Sequence, residues 1–302
     1  METVIIPKGI KIGHFQDEYT GISVIISEEG CIGGVDVRGG GPGTHETDLL
    51  HNEKAMQKIN AIALCGGSAY GLGAIAGVME YLKENGIGFK IQNKIVPIVS
   101  GAVIYDLNDT NYHYPDKQMG MEACKNANNE NTVSGNIGAG TGATCGKVRG
   151  IKNSSKSGLG IATIKVQGIT LTAVMVVNAL GDIIDPDTNK IIAGAKDNKG
   201  NWLNTKKCIL DGEYLRLVMG TNTTIGCLIT DAKLTKVEAN KLASIAHNGL
   251  ARTISPVHTD YDGDTMFVMA TGKKKVLNFM LLEVGASEVV ANAIINSVKN
   301  KV

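Results

Sequence analysis

The chain has 302 residues, with 30 basic and 29 acidic side chains and a formal net charge of +1. So even a balance gives no electrostatic case for nucleic acid or an anionic membrane surface as a partner. Aromatic residues make up 4% and glycines number 38, which suits tight turns and close layers of Ala, Val and Ile rather than an aromatic binding surface.

The cysteines are Cys31, Cys65, Cys124, Cys145, Cys208 and Cys227, with no Cys-x-x-Cys pair among them. Scattered thiols predict buried, reduced side chains in a reducing compartment. The first residues bring Glu2 and Pro7 but no basic and apolar leader. No stretch of about 18 apolar residues stands out, so no membrane span and a cytoplasmic location are expected.

Residues Ile10–Ile26 read as a β-hairpin turning near Asp17–Gly21. The glycine-rich stretch Gly30–Gly43 lacks the Gly-Lys-Ser/Thr of a phosphate loop, so a close backbone pass against another layer is expected. Ala61–Leu64 is a strand candidate. A helix ending near Asn85-Gly86 follows, with Ser68 as its expected N-cap and Gly86 as its C′ residue. Ser68 is not in a nucleophile elbow, because Tyr70 stands where the last Gly should be. Ile95–Leu107 is apolar, and Met119–Asn126 is a short helix candidate. Gly138–Ala143 fits a loose Gly-x-Gly-x-x-Ala pattern, but the polar segment before it is not the buried strand a dinucleotide site needs.

Ile161–Val166 and Ile169–Val177 form a meander about Gln167-Gly168. Asn178 ends the second apolar run, and a buried Asn needs partners or a task. Asp185–Asn204 reads as a surface loop. Thr235–Glu238 is a capping box, followed by apolar residues at helical spacing to a stop at Asn248-Gly249. Two C-terminal helical stretches, near 274–283 and 286–298, close the chain.

The stretch Gly220–Asp231 holds the chemistry. Ile225–Ile229 reads as a buried strand, and Thr223 and Thr224 open it after a polar segment. Two β-branched residues suit a strand start for that reason alone. A cut at Asn222–Thr223 would add more: an α-amine with a reference pKa of about 8, beside the Thr223 hydroxyl. Such an amine is a built-in general base for its own hydroxyl. Downstream, Asp262 and Asp264 share one face of an extended chain. A calcium loop is one rival reading, since Asp260, Asp262 and Asp264 match its odd positions. It lacks the required Gly and distal Glu, whose places Thr265 and Thr271 hold. A solvated turn is another.

The order Asn222-Thr223-Thr224-Ile225-Gly226, then Ile229-Thr230-Asp231-Ala232, resembles the processing site of DmpA-type self-cleaving aminopeptidases, peptidase family S58. Val35–Thr44 resembles that family's N-terminal signature. The pair Asp262-Gly263-Asp264 is similar to the 6-aminohexanoate-oligomer (nylon) hydrolase branch, where the β-peptidyl aminopeptidase branch carries Ser-x-Glu. The resemblance implies a four-layer αββα sandwich of the N-terminal-nucleophile type. It implies one domain, 1–302, cut into chains 1–222 and 223–302. Thr223 would be the nucleophile and Asn178 the oxyanion donor. Asp262 and Asp264 would hold the new amine. Lys147 would lower the amine's pKa or pair with an aspartate, and Tyr105 would line the substrate pocket. No metal or cofactor is implied. The expected substrates are small molecules, short peptides or oligoamides, and the expected assembly is a tetramer of the cut heterodimers. An aminopeptidase releasing N-terminal D- or β-amino acids, acyl transfer of the ornithine acetyltransferase kind and an uncleaved binding protein are the alternatives.

Overall fold

The computed structural model describes residues 3–107, 112–214 and 220–299. The ends of the expected domain, 1–2 and 300–302, lie outside them.

Nine strands build the central sheet system. They are β1 (Lys11–Gln16), β2 (Gly21–Val37), β3 (Thr44–His45), β4 (Lys58–Cys65), β5 (Val99–Val103), β6 (Leu159–Val166), β7 (Ile169–Asn178), β8 (Thr223–Ala232) and β9 (Thr265–Lys274). Their hydrogen-bonded order is β6-β7-β8-β9-β2-β4-β5-β3, with β1 also on β2. β2 is long enough to serve two layers. Its first part pairs with β1 and β4, its register shifts between Ile26 and Cys31, and its last residues pair with β9.

Side-chain alternation explains why the strands stack as two layers. Along β7, β8 and β9, Val174, Val176, Ile225, Cys227, Ile229, Phe267 and Met269 face inward and meet Ile25, Ile62, Leu64 and Ala102 from the other half. The residues between them, such as Met175, Val177, Leu228 and Val268, face outward onto α4 (Lys236–Thr253) and α5 (Phe279–Lys299). On the far side, Val24, Ala61, Ala63 and Cys65 face α1 (Ile75–Glu84) and α2 (Lys117–Lys125). Three apolar cores thus separate four layers, the expected αββα sandwich. All six cysteines are buried and free.

The hairpin, the meander and the capping box are where the sequence puts them. The glycine-rich stretch does pass close to another layer. A Cβ on Gly34 would sit 2.5 Å from the Ala239 carbonyl carbon of α4. Gly34→Ala should therefore cost about 1–3 kcal/mol through overpacking, read as a lowered midpoint in a denaturant titration.

Four local expectations change. Ser68 does not cap its helix: it has φ +54, its amide donates to Ile104 O, and the turn that leaves β4 is held by Gly67 N donating to Asp106 Oδ1 at 2.6 Å. Asn248-Gly249 does not end α4, because the helix buries that face against α5, with Gly249 beside Ser287 and Val290. The 185–204 loop contains a strand, Lys190–Ala193, paired with Asp182–Asp185. The two C-terminal stretches are one helix, α5, long and apolar enough by length and composition alone to cross a membrane, a property that a buried core helix shares. In the fold its apolar side packs on β6, β7 and α4, with Leu282, Ala286, Val289, Val290 and Ala293 fully buried.

Candidate active site

The site lies where β7 ends and β8 begins. These strands are antiparallel neighbours, and their register sets Asn178 opposite Thr223. β8 is also parallel to β9, so the segment leading into β9 runs beside the segment leading into β8. A bridge pairs Asn222 with Asp262 there. Four elements distant in sequence converge on one peptide bond.

That bond is Asn222–Thr223. Both residues are buried, Thr223 at 3% exposure. The Asn222 carbonyl oxygen accepts from Gly263 N at 2.9 Å and from Thr223 Oγ1 at 2.5 Å. Gly263 has no Cβ for a physical reason: one would lie 2.7 Å from both Thr223 Oγ1 and Gly41 O. Only glycine lets an N–H approach this carbonyl here.

Lys147 is reached through backbone pairing. Gly146 N and Lys147 N donate to Gly181 O and Leu180 O, on the turn that follows Asn178. Lys147 Nζ then donates to Asn178 Oδ1 at 2.6 Å, Asn178 O at 3.1 Å and Thr221 O at 3.1 Å. All three acceptors are uncharged, so of the two expected roles the direct aspartate pair is not among these bonds, and Asp262 acts on Lys147 only at longer range, after Cys145. Burial dominates and brings the Lys147 ammonium down to about 7.

Asn178 is held on both sides. Its Oδ1 accepts from Lys147 and from Thr144 N, so its Nδ2 must point the other way. Nδ2 donates to Tyr105 O at 2.9 Å and to Thr221 O at 3.3 Å. Tyr105 therefore contributes a backbone carbonyl to the site. In the uncut chain the Thr221 carbonyl takes hydrogen bonds from both Asn178 and Lys147.

The two aspartates are not on a regular strand, since β9 starts only at Thr265. Asp262 Oδ2 accepts from Thr259 N and Thr259 Oγ1. Asp264 Oδ1 accepts from Thr224 N at 2.7 Å, one residue beyond Thr223. Burial, with the Asp264 charge second, pushes the Asp262 carboxyl up to about 6. Among the described residues, no group of three His, Cys, Asp or Glu side chains is arranged to hold a metal ion.

A folded carboxyl raised from 3.8 to about 6 binds its proton more tightly than the unfolded one. Stability is thus favoured below the unfolded value and lost as pH rises through about 6. Asp262→Asn removes that loss. In a Thr223→Ala background, which keeps one chain to melt, it should raise the melting temperature at pH 8 and lose this advantage at pH 4. Thermal unfolding at both pH values checks this.

Two participants escape sequence reasoning. Gly263 reads only as a spacer between two acids. His258 donates its backbone N to Asp264 Oδ2, and its ring Nδ1 lies 2.8 Å from the same oxygen. The only sequence signal was a His a few residues before the Asp pair.

The peptidase family S58 profile matches residues 7–301. An uncharacterised aminopeptidase of Mycobacterium leprae is 38% identical over 293 residues, 90% of this chain and 79% of that protein. A 6-aminohexanoate-oligomer endohydrolase of a Kocuria species is 32% identical over 313 residues, 96% of this chain and 84% of that protein. A solved L-aminopeptidase D-Ala-esterase/amidase of Ochrobactrum anthropi, described as a variant of the Ntn hydrolase fold, superposes with a TM-score of 0.73. It covers 98% of this chain and 87% of its own at 17% identity, which establishes the shared fold. The chain belongs to peptidase family S58 and is an amide-bond hydrolase.

Proposed function

We propose that the chain, as one αββα unit, cuts itself between Asn222 and Thr223 and then hydrolyses linear amides with the Thr223 hydroxyl. The carrying observation is the double engagement of the Asn222 carbonyl oxygen, by Thr223 Oγ1 at 2.5 Å and Gly263 N at 2.9 Å. The hydroxyl stands against its own preceding carbonyl, and a fixed N–H is aimed at the oxygen that gains charge on attack.

In the self-cleavage step Oγ1 attacks the Asn222 carbonyl carbon. Gly263 N–H supports the developing oxyanion. Collapse breaks the C–N bond, the hydroxyl's proton passes to the departing nitrogen, and an ester on Oγ1 is left with a free Thr223 amine. Water hydrolyses the ester, giving chains 1–222 and 223–302. β8 stays paired with β7 and β9 along its length, so the smaller chain remains bound.

The cut has a second consequence. The released end withdraws the Thr221 carbonyl from Asn178 Nδ2 and Lys147 Nζ. A substrate carbonyl takes its place on the Asn178 donor. Thr223 Oγ1 attacks, its amine takes the proton and passes it to the leaving amine, and water frees the acyl group. Asp264, bonded to the neighbouring Thr224 amide, supplies negative charge beside that amine. Tyr105 borders the pocket. The substrates are short peptides or 6-aminohexanoate-type oligoamides, and the working assembly is a tetramer of heterodimers.

Purified protein should give two bands on a denaturing gel, the smaller beginning with Thr223. A different new N-terminus, or full amidase activity from an uncut chain, would overturn this reading. A panel of α-, β- and ω-amino acyl amides offered to the cut protein then reads its acyl preference.

A further inference from the structure

The carboxylate beside the candidate nucleophile has a support of its own. Asp264 is almost fully buried, at 1% exposure. Its Oδ1 holds the Thr224 amide at 2.7 Å, which fixes the first turn of chain out of Thr223. Its Oδ2 takes both donors of His258, the backbone N at 3.2 Å and ring Nδ1 at 2.8 Å. His258 adopts φ +57 to make this double contact, in the left-handed region that disfavours a residue with a Cβ. A strained backbone that delivers two donors to one oxygen indicates a selected geometry.

The ring is braced from behind. His258 lies edge-on to His247 of α4, with ring centroids 4.7 Å apart at 74°. His247 is wholly buried and its Nε2 lies 3.0 Å from Asp36 O on β2. His258 Nε2 and His247 Nδ1 are both buried without a hydrogen-bond partner. His258 Nδ1 therefore has Asp264 as its polar partner, and its N–H has that carboxylate to serve.

We propose that His258 is a positioning residue for amide hydrolysis: by donating to Asp264 it holds that carboxylate aimed at the start of β8, and so sets the basicity of the Thr223 amine. This rests on the reading of Thr223 as the N-terminal nucleophile. Other charged groups face the same place. Asp262 is the like charge two residues before Asp264, and Lys147 is the cation across the site from Asp262. Behind His258, His247 faces Asp36, whose carboxylate lies 3.8 Å from its Nε2 and pairs with Arg38 at 2.8 Å. Burial pushes His247 down to about 4, so it adds no charge near neutrality.

Without the His258 donor, the Asp264 charge beside the amine is less neutralised. It then favours the ammonium form, so the acid limb of kcat/KM moves to higher pH.

The test compares wild type with His258→Gly and His258→Asn, each first checked for the Thr223 N-terminus. Glycine accepts φ +57 without strain but has no donor. Asparagine tolerates the left-handed backbone and keeps an N–H to donate. His258→Gly should lower kcat/KM roughly 10- to 100-fold, the loss of one hydrogen bond to a charged group, with the acid limb shifted up. His258→Asn should retain most of the activity and the wild-type limb. An unshifted limb in the Gly variant, or an Asn variant as impaired as Gly, would overturn the assignment while leaving the Thr223 reading intact. A wild type without a Thr223 N-terminus would overturn both.

Discussion

Thr223→Ala is expected to run as one uncut band and to hydrolyse no amide. The methyl side chain has no nucleophile to attack the Asn222 carbonyl, so the first step of self-cleavage is gone. The later amine never forms, so the general base is lost with the nucleophile. Removing a nucleophile in a covalent mechanism costs on the order of 10⁶ in kcat, which places residual activity below detection. Folding should survive. Among the described residues, Thr223 Oγ1 donates to Asn222 O, its immediate neighbour, and β8 keeps its backbone ladders to β7 and β9. Thr223→Ser keeps a hydroxyl at the same place and should still process, with an N-terminal Ser in the small chain. A processed and active Thr223→Ala protein would remove Thr223 from the mechanism.

Asn178→Ala should lower kcat roughly 10²–10³-fold, with kcat/KM falling alongside, because an oxyanion donor acts mainly in the transition state. Self-cleavage should largely persist, since the Asn222 carbonyl takes its N–H from Gly263 rather than from Asn178. The variant also strips Lys147 of its 2.6 Å acceptor, so a second substitution is needed to separate the effects. Asn178→Asp keeps the oxygen that Lys147 bonds and removes the NH₂ donor. Equal loss in the Ala and Asp variants, measured on processed protein, identifies the donor. Wild-type turnover in the Asp variant would instead make Asn178 a support for Lys147.

The chain itself wrote down the pieces with local causes. The apolar runs Ile225–Ile229 and Ile169–Val177 marked two strands that are adjacent in the fold. The capping box at Thr235 started α4 as read, because both its hydrogen bonds are local. Thr223 stood out because it opens a buried strand after a polar stretch. Resemblance, rather than periodicity, picked Asn178, Lys147, Tyr105 and the Asp pair, and four layers could not be drawn from alternation alone. Alternation says which side chains share a face but not which layer that face meets.

The tertiary structure decided the rest. Asn178 is opposite Thr223 through an antiparallel register across 45 positions, which no local pattern encodes. Asp262 reaches Asn222 because β8 and β9 are parallel, an arrangement that needs the α4 crossover between them. Gly263 became a donor to the Asn222 carbonyl only once two loops met within the reach of a residue without a Cβ. His258 became relevant through a left-handed backbone that turns both its N–H groups onto Asp264. α5 continues past the expected break because burial of one face against α4 and the sheet outweighs weak local stop signals. Local propensities are settled within a few residues. The site is a sum of long-range contacts, and their positions are fixed only when the layers pack.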